Sequence, residues 1–271
     1  VCLQDFLLAQ NEDGLLTGTV EIAASHRFQV TLAQVHEAAL RLGILPARYS
    51  RNREMISIAQ QLHLCQSKVA VVGCGGLGGY VIEELARLGV GQLVAIDYDS
   101  FEEHNLNRQL LSTSVTLGQS KVEAAVQRVS IVNGAVRVIA QKKAFSAENA
   151  EKLLEGAAVV VDALDTVPIR LTLSESCGKL NIPMVHGAIS GWYGQLTTQF
   201  PGDGPVERIY SGVTNEKGME TIMGNPSFTP AIVASMQAAE VCKVLLGEGT
   251  PLRRRIIFIN LLSMEFIEMR I

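Results

Sequence analysis

An apolar strand running into a glycine loop and then into an amphipathic helix leaves a chain few folds to choose from. Here Val69–Val72 is followed by Gly73-Cys74-Gly75-Gly76-Leu77-Gly78 and a helical pattern reaching Leu88. Gly73, Gly75 and Gly78 match Gly-x-Gly-x-x-Gly. Such glycines allow a tight turn, close approach of backbone to phosphate, and close packing of helix on strand. The helix N-terminus then offers unpaired N–H groups and partial positive charge to an anion. Asp97 ends the next apolar strand, where a carboxylate bonds ribose hydroxyls. Gly76 and Asp99 complete the candidate nucleotide-binding set.

The pattern around this unit alternates. Val69–Val72, Gln92–Ile96, Val136–Ala140 and Ala158–Asp162 read as strands. Helical stretches fall at Gly78–Leu88, Gln119–Val132, Ala147–Leu154 and Pro168–Leu180. Continuous apolar strands separated by helices imply a mostly parallel sheet with helices on both faces. Right-handed crossovers make it a doubly wound, Rossmann-like α/β fold. After Pro183 the grammar changes to strands at Met184–Ile189 and Tyr193–Phe200, a long loop over 201–227, one apolar helix at Phe228–Leu246, and a final strand pair at Arg255–Asn260 and Met264–Ile271. These last strands predict an antiparallel C-terminal extension. A loop as long as 201–227 is usually functional or mobile.

The first residues differ. Thr31 and Gln34 form a capping-box pattern, and Leu32, Val35, Ala39 and Leu42 then share a helical face that Gly43 can close. Residues 1–46 read as a small helical N-terminal appendage and 47–271 as the main domain. Residues 47–66 read as a helix leading into it, with Met55, Ile58, Ala59 and Leu62 as its apolar stripe.

With 48% hydrophobic and 18% charged residues the chain can bury a sizeable core. A net charge of −4 without a long basic run argues against a nucleic-acid surface. No apolar run reaches membrane-spanning length. Cys2, Cys65, Cys74, Cys177 and Cys242 are scattered and odd in number, as expected of reduced thiols in a cytoplasmic protein.

A second polar cluster, Asn105-Leu106-Asn107-Arg108-Gln109, follows the Asp97 strand. Arg108 has a planar donor fork suited to phosphate oxygens. Lys121 stands at a helix start, where a basic residue opposes the helix dipole, which favours a phosphate-facing role. Asp165 falls just past the strand ending at Asp162, at the sheet edge where ligands gather in such folds. Asp162 competes with it as a metal carboxylate. His186 lies near the same edge and reads more readily as structural than as a substrate contact. Met219, Met223 and Met236 read as packing residues.

Gly73–Gly78, Ile96-Asp97-Tyr98-Asp99, Asn105–Gln109, Gly118-Gln119-Ser120-Lys121 and Asp162-Ala163-Leu164-Asp165 occur in an order and spacing that resemble the ThiF/MoeB/HesA family, bacterial relatives of ubiquitin-activating enzymes. The resemblance runs from about Arg48 to the C-terminus and leaves the first 46 residues uncovered. It implies an ATP-dependent adenylyltransferase acting on the C-terminal carboxylate of a ubiquitin-like sulfur carrier ending in Gly-Gly, with pyrophosphate released. Sulfur transfer to molybdopterin or thiamine is the implied context. By this likeness Asp97 holds ribose, Asn105, Arg108 and Lys121 face the phosphates, and Asp165 binds Mg²⁺. Arg51 reaches into the active site of the other subunit of a homodimer.

The chain also departs from the family. It lacks the two Cys-x-x-Cys pairs that hold structural zinc in many members, so no zinc is expected. No cysteine lies between Cys177 and Cys242, where thioester-forming members place one. The expectation is adenylation without a thioester step, with a separate sulfur donor. Other readings stay open at this point. The substrate carboxylate could belong to a peptide or a modified tRNA, the glycine loop could serve a nicotinamide-dependent oxidoreductase, or the chain could be a non-catalytic carrier-binding module.

Overall fold

The computed structural model describes residues 2–212 and 224–271. Its centre is an eight-stranded sheet. Strands β3 (Lys68–Val72), β4 (Gln92–Ile96) and β5 (Arg137–Gln141) run parallel to one side. From β3 the order reverses to β6 (Val159–Asp162) and β7 (Met184–Ser190), also parallel. Beyond β7 the sheet turns antiparallel through β8 (Tyr193–Gln199), β9 (Arg255–Asn260) and β10 (Glu265–Arg270). The full order is β10-β9-β8-β7-β6-β3-β4-β5. The C-terminal strand pair is thus the outer rim of the same sheet.

Alternation along β3 explains the two cores. Val69 and Val71 point to one face, where they meet α5 (Gly76–Leu88), α6 (Lys121–Val132) and the long helix α10 (Phe228–Leu246). Ala70 and Val72 point to the other, against α7 (Ala150–Leu154), α8 (Val167–Leu180) and α9 (Pro205–Ile209). A strand buried on both faces has no polar side, hence the unbroken Val-Ala-Val-Val run. Helix α10 has 19 residues and enough hydropathy to pass as a membrane span. The sequence reading found no such run. Here α10 packs along α5, β7 and β8, so its apolar length serves the core.

Residues 3–44 build their own apolar cluster of Leu7, Leu16, Ala24, Val35, Ala39 and Ile44. It comes from α1 (Leu3–Gln10), α2 (Gly18–Phe28) and α3 (Leu32–Arg41), with a short parallel pair β1 (Leu15–Leu16) and β2 (Leu45–Pro46). The Thr31–Gln34 capping box forms as predicted, Thr31 accepting from the Gln34 N–H at 3.2 Å. Tyr49 is buried beyond β2, and its hydroxyl accepts from Asn133 at 2.8 Å.

The single helix expected over 47–66 is instead a 3₁₀ turn at Ala47–Asn52 and a separate helix, α4 (Ile58–Gln66). The break has a local cause. Ser57 and Gln60 make their own capping box, which starts α4 afresh and leaves Met55 85% exposed. The long loop contains α9, with Pro205 at its first turn. Met219 and Met223 lie outside the described residues. Met236 packs against the main core as expected.

Candidate functional site

A cleft of about 670 Å³ opens at the C-terminal ends of β3, β4 and β6, where the strand order reverses. Open α/β sheets bind ligands at this position. Its floor is the glycine loop. Gly73 has φ +94°, and a Cβ there would lie 2.4 Å from the Ala163 carbonyl oxygen. A Cβ on Gly78 would lie 1.8 Å from the Gly73 carbonyl oxygen. No side chain fits at either position. Gly75 and Gly76 also line the cleft but meet only ordinary contacts, with Gln109 and Pro230. Cys74 turns away and is fully buried, and that burial pushes its thiol well above the usual range.

The strand ends supply carboxylates. Asp97 Oδ2 accepts from the Cys74 N–H at 2.7 Å, and its Oδ1 from the Asp99 N–H at 2.8 Å. A carboxylate has about four acceptor positions, so these bonds shape the loop and leave capacity for hydroxyl donors. Asp99 and Asp165 line the cleft as well. The Tyr98 hydroxyl is pushed above its usual value by Asp99 first, then by burial, Asp165 and Asp97. Asp165 is exposed.

Positive groups line the same cleft. Lys121 is buried at the start of α6, and its Nζ meets Asp99 Oδ2 at 3.0 Å. Arg108 hangs from the turn after the 3₁₀ segment Glu103–Asn105, its Nη1 donating to the His104 carbonyl at 3.1 Å and to Asn107 Oδ1 at 2.9 Å. Lys143, His104, Gln109, Thr166 and Asn225 add to the polar lining. Acidic and basic groups on one cleft suit a metal-bridged polyphosphate. One open carboxylate beside a phosphate site is also how Mg²⁺ is commonly held, with substrate oxygens and water filling its shell. Asp165 fits that requirement.

The pattern that describes the ThiF family matches residues 49–271. The chain belongs to the ThiF family. This ThiF-family chain is 38% identical over 224 residues to the SAMP-activating enzyme E1 of Haloferax volcanii, covering 81% of this chain and 83% of that one. It is 34% identical to the adenylyltransferase and sulfurtransferase MOCS3 of Drosophila sechellia, over 83% of this chain and 51% of that protein. It therefore spans about half the length of that relative. In fold it matches the crystal structure of E. coli MccB with ATP, at TM-score 0.70 and 22% identity, over 92% of this chain and 82% of that chain. Membership makes it an E1-like, ATP-dependent adenylyltransferase and removes the nicotinamide oxidoreductase reading.

Not every residue singled out in this ThiF-family sequence reaches the cleft. Asn105, expected at the phosphates, is buried off the cleft wall, and its Oδ1 accepts from the Glu102 N–H at 2.9 Å. It caps the turn that presents Arg108. Arg51 is exposed on the 3₁₀ turn and also lies off the wall. Asp162, the rival metal carboxylate, is sealed. Its Oδ1 accepts from the Leu164 N–H at 3.0 Å, and its Oδ2 from His186 Nδ1 at 2.7 Å. Arg170 stands 3.5 Å from the same Oδ2. Burial raises the Asp162 carboxyl, but Arg170 and His186 outweigh it and hold the group below its ordinary range. Burial also lowers the His186 imidazole, and the ring is fully enclosed by protein. With its oxygens on protein partners and no exposure, Asp162 is closed to the cleft, whereas Asp165 is open to it. Phe145, Leu164 and Ile169, apolar lining on the α7–α8 side, gave no sequence signal as site residues because they look like any core position.

Proposed function

We propose that this chain adenylates the C-terminal Gly-Gly carboxylate of a ubiquitin-like sulfur carrier. One observation supports this most: Arg108, Lys121 and Asp165 converge on a cleft floored by a loop that admits no side chain at Gly73 or Gly78. In this reading Gly73, Gly75, Gly76 and Gly78 admit the phosphates, and Asp97 and Asp99 hold the ribose hydroxyls. The carrier carboxylate oxygen attacks the α-phosphorus of ATP, and the bond from that phosphorus to the β-bridging oxygen breaks. Arg108 and Lys121 stabilise negative charge as pyrophosphate leaves. Asp165 would hold Mg²⁺, whose charge would neutralise phosphate oxygens.

Asn105 contributes through the turn that aims Arg108. Arg51 serves, in a homodimer, the cleft of the second subunit. Molybdopterin or thiamine sulfur transfer in the cytoplasm is the context, with sulfur delivered by a separate donor and no thioester formed on the enzyme. Neither zinc, nucleic acid nor membrane enters the scheme.

The test is magnesium-dependent ATP–pyrophosphate exchange with a purified carrier ending in Gly-Gly. Exchange should require the carrier, fail with the carrier's terminal Gly-Gly deleted, and fall about 100- to 1000-fold in Asp165→Ala. Exchange that proceeds with a peptide or modified tRNA instead would transfer the chemistry to that carboxylate. ATP binding without exchange on any substrate would make the chain a carrier-binding module.

A further inference from the structure

Behind the loop that carries Asp165 lies a buried polar network that forms no part of the cleft wall. Arg170 reaches in from α8 and is only 2% exposed. Its Nη1 donates to the Gly187 carbonyl at 2.7 Å and its Nη2 to the Leu164 carbonyl. The Leu164 N–H is held by Asp162, so both backbone polar groups of this one residue are fixed from behind. Asp162 Oδ2 in turn accepts a hydrogen bond from His186 Nδ1–H at 2.7 Å. That choice of tautomer leaves His186 Nε2 as an acceptor. The Tyr210 hydroxyl and Gln195 Nε2 each stand 3.3 Å from it, and Gln195 Nε2 also donates to the Tyr210 hydroxyl at 3.0 Å. The Tyr210 ring meets the imidazole edge-on, with centroids 5.6 Å apart.

A buried charged network is a poor way to gain stability, since apolar side chains of similar volume do as well or better. What it does supply is direction. It pins the loop between Asp162 and Thr166 at its middle residue. The neighbouring Ala163 has its N–H on the Val72 carbonyl and its own carbonyl against Gly73. Any shift of Leu164 therefore moves both the Asp165 carboxylate and the rim of the glycine loop.

The geometry points to a positioning relay, in which Tyr210, His186, Asp162 and Arg170 together set the Asp165 carboxylate for metal-bound phosphate and tie that setting to the 205–210 segment. None of the four is a catalytic residue, because none touches the cleft. The inference rests on the reading of Asp165 given above. Groups that orient a metal ligand from outside its shell typically govern about 10- to 100-fold in metal affinity, and these four act on Asp165 through the Leu164 backbone.

The experiment is a double-mutant cycle read by calorimetry. ATP affinity is measured with and without Mg²⁺ in Tyr210→Phe, Arg170→Lys and Asp165→Ala, and in each of the first two combined with Asp165→Ala. The relay predicts that Tyr210→Phe and Arg170→Lys each weaken MgATP binding by about tenfold. Affinity for ATP without the metal should stay within about twofold, and the losses should disappear in the Asp165→Ala background because coupled residues are not additive. Amide hydrogen exchange across 163–166 should quicken in both variants. Equal fold-losses in the Asp165→Ala background, or unchanged exchange at 163–166, would overturn the relay. If Arg170→Lys fails to fold, Tyr210→Phe decides alone, since it removes one hydroxyl and keeps the ring. An Asp165→Ala protein that binds MgATP as tightly as the parent overturns the metal reading itself, and the relay's effect on MgATP falls with it.

Discussion

The ends of β4 and β6 carry the same ingredients and use them differently. Each has an inner aspartate, Asp97 or Asp162, and an outer one, Asp99 or Asp165. At β4 the inner carboxylate keeps a face on the cleft while it organises the glycine loop through the Cys74 N–H. The outer one is already paired with Lys121. At β6 the duties are divided. Asp162 is wholly internal and bound to His186 and Arg170, while Asp165 is open to the cleft. The folding and the cleft-facing duties therefore fall on different residues at β6, joined through the Leu164 backbone, and are entangled in one residue at β4.

Substitutions at the four positions test that division. Asp162→Ala leaves Arg170 buried beside a missing partner and should cost about 3–5 kcal/mol, the range for one half of a buried ion pair. Thermal unfolding reads it, and an unchanged midpoint would refute the internal role. Asp165→Ala should lose about 100- to 1000-fold in pyrophosphate exchange, the scale of one well-placed electrostatic group. Its unfolding midpoint should match the parent, and a falling midpoint would mean β6 is as entangled as β4.

At β4, Asp97→Asn keeps the shape but can accept at one oxygen only. It should lose about 1–3 kcal/mol of stability together with ATP affinity. Loss of one without the other would show that β4 also divides its duties. Acid titration offers a finer contrast. Asp162 is held below its ordinary value of 3.8, so its stabilising share is present above that pH and lost as pH falls through the lower folded value. Urea unfolding across that range should show a steep decline in the parent and a flatter one in Asp162→Asn. The smallest effect belongs to Asp99→Asn. A half-exposed ion pair contributes about 0.2–1 kcal/mol, so stability should barely move and KM for ATP should shift only severalfold.

Much of β4 was legible in the sequence, and little of β6 was. The glycine spacing and Asp97 sit within one strand–loop–helix unit, where local sterics dictate residue type. Gly73 and Gly78 are glycine because carbonyl oxygens occupy the space a Cβ would take. Asp165 was readable from its strand end, but the partition between Asp162 and Asp165 was not. It depends on His186, Arg170 and Tyr210, which arrive from three other elements. At Asn105 the reverse holds: its place in a phosphate-like cluster gave no hint that its amide caps a turn. The break before α4 was visible in principle, since Ser57 and Gln60 repeat the Thr31 and Gln34 signature. Helix α9 likewise had Pro205 to mark its start.

The packing of α5, which begins at Gly76, on α10, which carries Pro230, shapes how the chain is made. Helix α5 leans on α10, and β3 pairs with β6 through Val69 and Val159. The nucleotide fingerprint leaves the ribosome early, yet its neighbours in the sheet and on its helical face come much later. Pairings so distant in sequence are slow to close. A nascent chain stalled before Phe228 holds every glycine of the loop and lacks the helix it rests on. Competence to bind nucleotide should appear only as the last stretch of the chain emerges.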